Sequence, residues 1–154
     1  MKKILPIFPN VIDDNYSANV IVKLFFYILT GITIIRSLIH IFYPDGGSQS
    51  IAGIPIEIYS TQAANTVIGI FAFWGVSQLL MGLIYLIVSI KYKSLIPLML
   101  LINIIEYSSR FIITFYKPFV TTHVAPGAIG NYIMIPLLLL IFIMSCIGEQ
   151  HKNH

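Results

Sequence analysis

The sequence predicts an all-α integral membrane protein, a four-helix bundle with both ends in the cytoplasm, and three observations predict it. The chain of 154 residues, enough for one transmembrane domain, is 57% hydrophobic and only 10% charged, with a mean hydropathy of +0.88. A soluble domain carries roughly 25% charged residues, so a surface built from this composition belongs in a bilayer. Four stretches reach the roughly 20 apolar residues that a spanning helix requires. The basic residues that flank these stretches gather on one side, the pattern of a cytoplasmic face.

The first span is expected from about Ala18 to Phe42, stopped by Tyr43-Pro44-Asp45-Gly46-Gly47. Lys2 and Lys3 precede only a short apolar run broken by Pro6 and Pro9, so no cleavable signal is expected and this helix stays as an anchor. The second span is expected from about Thr61 to Ile90, with Ser60 or Thr61 as its cap and Lys91-Tyr92-Lys93 as its end. The third runs from about Leu95 to Tyr116. Ser94 is its expected N-cap, and Pro97 falls in the first turn, where a missing N–H does no harm. The fourth runs from about Ala128 to Ile147, with Pro136 as a kink inside it and Gly127 and Gly130 forming a turn into it.

Lys2, Lys3, Lys23, Lys91, Lys93 and Lys152 fall on one side of this arrangement and Lys117 on the other. Both termini and the short second loop are therefore placed in the cytoplasm, with the loops at about 43–60 and 117–127 outside. Ile51, Ile54, Ile56 and Ile58 make the first outer loop too apolar for free solution. It reads as a short segment lying on the bundle mouth or in the membrane interface, or as a lid over a cavity.

Charge inside a span is costly, about 2.5–3.5 kcal/mol per residue on insertion scales, and three residues bear it: Arg36, Glu106 and Arg110. At 100° per residue, Asn103, Glu106, Tyr107, Arg110 and Thr114 share one face of the third helix, a polar stripe that must look inward. Glu106 and Arg110 stand at i,i+4 with the acid first, the favourable order for a pair. Thr33, Arg36, Ser37 and His40 share an arc of the first helix, which puts Arg36 and Arg110 at similar depth. On the second helix Trp74, Gly75, Gln78, Gly82, Tyr85 and Ser89 form one face, and Gly75, Gly82 and Ser89 repeat at sevens as a close-packing seam. Gln78 is at the depth of Glu106, so a hydrogen bond between them is expected. Asn131 and Tyr132 are expected to enter from the fourth helix.

Two arginines thus face one buried acid. The balance could come from Asp45 or Glu57 in the outer loop, or from an anionic ligand, since guanidinium suits phosphate and carboxylate alike. The one cysteine, Cys146, excludes an intrachain disulfide or a CxxC centre. A zinc site would need His40, His123 and Glu106 to converge, and none is expected. His151 and His154 read as solvated tail residues. With its Lys and Arg scattered, the chain carries no nucleic-acid signal, and no cofactor is expected.

Several of these residues carry a resemblance. A first helix ending in Arg36 and His40 before Pro44-Asp45-Gly46-Gly47 resembles the DoxX-like superfamily of small four-helix membrane proteins. Trp74-Gly75-Val76-Ser77-Gln78 before the run containing Gly82, and the arginine late in the third helix, resemble it as well. The resemblance implies the same four-helix fold; some members of that superfamily are quinone-linked oxidoreductase subunits or redox accessory proteins, and many have no assigned activity. This chain has no cysteine pair and no flavin or metal motif, which argues against redox catalysis of its own.

The leading reading is a cell-membrane protein that binds a small amphiphile, a lipid or a quinone-like molecule, in an outward-opening polar pocket, or serves as an accessory subunit. The expected site is formed by Arg36, His40, Gln78, Asn103, Glu106, Tyr107, Arg110 and Asn131. The alternatives are a membrane-embedded enzyme using Glu106 with Arg36, Arg110 and His40, and a structural subunit without a ligand. Whether the bundle works alone, as a homo-oligomer or in a complex stays open, as does any substrate.

Overall fold

The computed structural model describes residues 2–17, 19–118 and 120–149. The expected helix start at Ala18, the flanking Lys152 and the tail histidines His151 and His154 lie outside these. The described chain is all-α apart from one short ribbon. Its helices are α1 (Val20–Phe42), α2 (Thr61–Lys91), α3 (Ile96–Tyr116) and α4 (Pro126–Ser145). Each is long and apolar enough to cross a membrane.

Local chemistry explains the boundaries. The Asn19 side chain accepts from the Ile21 N–H and caps α1. Ser60 does the same for α2, accepting from Ala63. At 31 residues, α2 is about 46 Å long at 1.5 Å per residue, more than a hydrocarbon core needs. A single 3-10 turn, Lys93–Leu95, leads into α3, and Pro97 sits in the first turn as its missing N–H allows. Ser94 does not cap α3. Its hydroxyl donates to the Asp13 carbonyl at 2.9 Å and accepts the Asp13 N–H at 3.0 Å, so it fastens the N-terminal segment instead. Gly127 and Gly130 lie within α4, not in a turn before it. Pro126 opens the helix with its fixed φ, and Ala125 is the N-cap.

The helices associate as two hairpins, α1 with α2 and α3 with α4, joined by sparse contacts. The α1–α2 seam is close because α2 offers glycine. A Cβ added at Gly75 would lie 2.8 Å from the Cβ of His40, and one at Gly82 would lie 2.8 Å from Cγ1 of Ile34. Further along, Ser89 Oγ lies 3.4 Å from Thr30 Oγ1. The buried hydroxyls of α1 are satisfied locally, because Thr30, Thr33 and Ser37 each donate to the carbonyl one turn back. Phe26, Leu29, Tyr85, Ile96, Leu100 and Leu138 fill the core. Ile32, Ile35, Leu80, Ile84, Ile112, Leu140 and Ile143 point outward, as they would toward lipid.

At one end the two termini meet. β1 (Lys2–Ile4) pairs antiparallel with β2 (Ile147–Glu149), and Leu5 N–H donates to the Cys146 carbonyl at 2.8 Å. The segment that follows is tied by Tyr16, whose hydroxyl donates to the Ser145 carbonyl at 2.9 Å, and by the Lys93–Asp14 ion pair at 2.7 Å. At the opposite end, the loop end, residues 43–60 fold over the bundle. Gly46 and Gly47 take φ of +60° and +76°, the left-handed region that only glycine enters freely. Ile54 and Ile56 are buried, whereas Ile58 is exposed, so the apolar loop lies on the bundle mouth. Thr122 binds it to the second loop, donating from both N–H and Oγ1 to the Gly53 carbonyl.

Candidate functional site

The loop-end half of the bundle gathers Arg36, His40, Glu106 and Arg110 around one turn of α2. Arg36 extends from α1 and donates through Nε to Gln78 Oε1 at 3.2 Å. One turn of α1 further, His40 is buried and its Nδ1 meets the Gly46 carbonyl at 2.7 Å. Its ring stacks on Trp74 with centroids 4.7 Å apart. From α3, Arg110 pairs with Glu106 and brings its guanidinium to 5.2 Å from the Trp74 ring centre and 5.4 Å from that of Tyr107. Trp74 and Gln78, one turn apart on α2, thus meet one arginine each, Gln78 meeting Arg36 and Trp74 meeting Arg110.

The expected hydrogen bond between Gln78 and Glu106 is not formed. Glu106 has a charged partner one turn away, and a charge-assisted pair outcompetes a neutral amide. Gln78 gives its carbonyl oxygen to Arg36 instead. Neither Asp45 nor Glu57 balances the arginines. Asp45 spends both carboxylate oxygens on its own loop, accepting from the N–H groups of Gly47, Gln49 and Ser50 and from the Ser50 hydroxyl. Glu57 is exposed and, among the described residues, pairs with no cation.

The remaining expected residues divide. Asn103 is buried and donates to the Met99 carbonyl at 2.8 Å, and Tyr107 is buried beneath Arg110. Asn131 is half-buried on α4 and takes part in none of these contacts. Tyr132 does not enter the bundle: it is 65% exposed and lies edge-on to Phe111. Thr114, last on the α3 stripe, is also exposed. His123 packs over Gly53, away from both His40 and Glu106.

Among the described residues, Nε2 of His40 and Nε2 of Gln78 are buried without a hydrogen-bond partner, as is the Tyr85 hydroxyl two turns of α2 further from the loop end. Beside the cluster lies a hollow of about 240 Å³ lined by Ile54, Tyr59, Val67, Ile70, Phe71 and Val120. This hollow is apolar, and none of the eight expected site residues lines it, so the polar groups do not themselves wall an open pocket. Phe71 joins the two regions. It lines the hollow and also meets His40 and Trp74 edge-on, at 5.7 and 5.8 Å. Trp74 and Phe71 were absent from the expected set. Their signal was available, because Trp74 shares a helical face with Gln78 and is the sole tryptophan of the chain.

Comparison with protein-family models, curated proteins and solved structures finds no match to this chain. The chemistry of the site therefore rests on its own geometry.

Proposed function

We propose that this is a multi-pass cell-membrane protein, both termini cytoplasmic, that binds a small amphiphile at the outer end of its bundle. The head of the ligand meets Arg36, Gln78 and Trp74, and its apolar part occupies the hollow behind Phe71. The observation that carries this reading is the shared wall. Phe71 touches an apolar hollow on one side and a polar aromatic cluster with unpartnered polar atoms on the other. Ligand sites combine these two features, mostly apolar lining with a few convergent polar groups.

The reading is tested by purifying the protein from its native membrane in mild detergent and analysing the extracted small molecules by mass spectrometry. The parent protein should carry one amphiphile in excess over bulk lipid. Val67→Trp, which fills the hollow without touching the arginines, should lose it while retaining its helical circular dichroism. An extract indistinguishable from bulk lipid, or one unchanged by Val67→Trp, would return the protein to a purely structural role.

A further inference from the structure

We infer that the head of this amphiphile is an anion, a phosphate or a carboxylate, bound by Arg36 together with the amide of Gln78; the inference rests on the amphiphile reading above. Arginine only donates, so the oxygen of the Gln78 amide must be the atom that faces Arg36 Nε. That choice fixes the other end of the amide. The Gln78 NH2 points away from Arg36, buried and without an acceptor. Arg36 is held through Nε by Gln78 and has the Tyr107 side chain beside it, which leaves the rest of its five N–H donors to donate elsewhere. Donors on two helices thus lack an acceptor within one turn of each other.

The charge has the same sign. Of the two guanidiniums and one carboxylate in the cluster, Glu106 is paired with Arg110. Among the described residues Arg36 has no carboxylate partner, and Asp45 is committed to its own loop. An unbalanced cation in a low-dielectric region draws an anion strongly. A planar guanidinium fork suits two oxygens of a phosphate or carboxylate. A neutral carbonyl head would satisfy one donor and leave the charge unmet.

Trp74 makes the inference measurable. As the sole tryptophan of the chain, in contact with His40 and near Arg110, it reports on this site alone by its fluorescence. The purified protein, in nanodiscs of zwitterionic lipid, is titrated with dodecyl phosphate, dodecanoate, dodecanol and inorganic phosphate. The two anionic amphiphiles should shift Trp74 emission saturably. Dodecanol should need about tenfold or more higher concentration, the loss expected of one charge-assisted hydrogen bond. Arg36→Gln should bring the anions to the level of dodecanol. If that variant does not fold, Arg36→Lys keeps the charge, and its preference for dodecyl phosphate over dodecanol should persist.

Dodecanol binding as tightly as the anions, or Arg36→Gln binding them like the parent, overturns the anionic head while leaving the amphiphile reading intact. Inorganic phosphate shifting Trp74 at the concentration of dodecyl phosphate supports the anion site but identifies a free anion, and the amphiphile reading then falls. An emission unmoved by all four probes overturns both.

Discussion

Nδ1 of His40 lies 2.7 Å from the carbonyl oxygen of Gly46, and because a carbonyl only accepts, this nitrogen carries the proton. The bond ties the end of α1 to the left-handed turn that starts the outer loop. His40→Phe keeps a ring to stack on Trp74 but leaves the Gly46 carbonyl unpaired, a cost of about 1–3 kcal/mol for a buried group. The thermal midpoint in detergent should fall accordingly, and amide exchange should quicken first at Gly46–Ser50. Unchanged exchange there would mean that Asp45 alone holds the turn.

Asp45 sets the pH response of the same loop. Burial raises its pKa, but hydrogen bonds from Ser50, Gly47 and Gln49 outweigh this and hold the carboxyl below the ordinary aspartate value. A depressed folded-state pKa stabilises above the unfolded value, and that stability is lost as pH falls through the folded one. Loop amide protection should therefore be constant at neutral pH and decline below about pH 4. Asp45→Asn should show weaker protection at neutral pH and little further change on acidification. A parent loop that stays protected at low pH would show that its backbone turns suffice.

The α1–α2 seam predicts a contrast among glycines. Gly75→Ala and Gly82→Ala place a methyl 2.8 Å from His40 Cβ and from Ile34 Cγ1, so each should lower stability by about 1–3 kcal/mol, the usual cost of overpacking. A Cβ at Gly31 or Gly69 meets nothing within 4 Å, and those alanine variants should melt at or above the parent. Gly75→Ala carries a second readout, since displacing His40 disturbs its stacking on Trp74 and hence the fluorescence.

Much of this was legible from the chain, and what was not has a common cause. The helices were readable because apolar runs of bilayer length end at strong breakers such as Pro44 and Lys117-Pro118. The pairing of Glu106 with Arg110 was readable because it lies within one helix, where spacing fixes the geometry. Gln78 was assigned a partner on α3 and bonds to Arg36 of α1 instead, since depth does not say which neighbouring helix a side chain meets. Asp45 was an available countercharge until the loop showed four donors converging on it. The β1–β2 ribbon involves three residues on each side, too few to show a period, and its partners are at opposite ends of the sequence.

The Glu106–Arg110 pair is partly open, with side chains 37% and 21% exposed. Glu106→Gln removes the one carboxylate of the cluster and leaves Arg110 against the rings of Trp74 and Tyr107. Breaking a sealed pair costs about 3–5 kcal/mol; for this half-open one the loss should be on the order of 1–2 kcal/mol, read as a lower melting midpoint. Arg110→Met should cost a similar amount by stranding Glu106. Parent-like melting of both variants would mean that the stripe looks out of the bundle.

The last prediction concerns sidedness. The antiparallel ribbon joins the two termini, so they share one face whatever the orientation, and the flanking charges choose which face it is. Lys23, Lys91 and Lys93 lie toward the ribbon end and Lys117 toward the loop end, a bias that predicts a cytoplasmic ribbon end. A labelling test needs a reactive position in the outer loop. Ser48 is fully buried and would stay unreactive in either orientation, whereas the neighbouring Gln49 is exposed and bonds to Asp45 only through its backbone. With Cys146, the sole cysteine, replaced by serine, Gln49→Cys should react with a membrane-impermeant maleimide on intact cells. A reporter joined after His154 should be active only in its cytoplasmic form. Labelling that appears only after lysis would invert the topology and place the Arg36 cluster in the cytoplasmic half of the membrane.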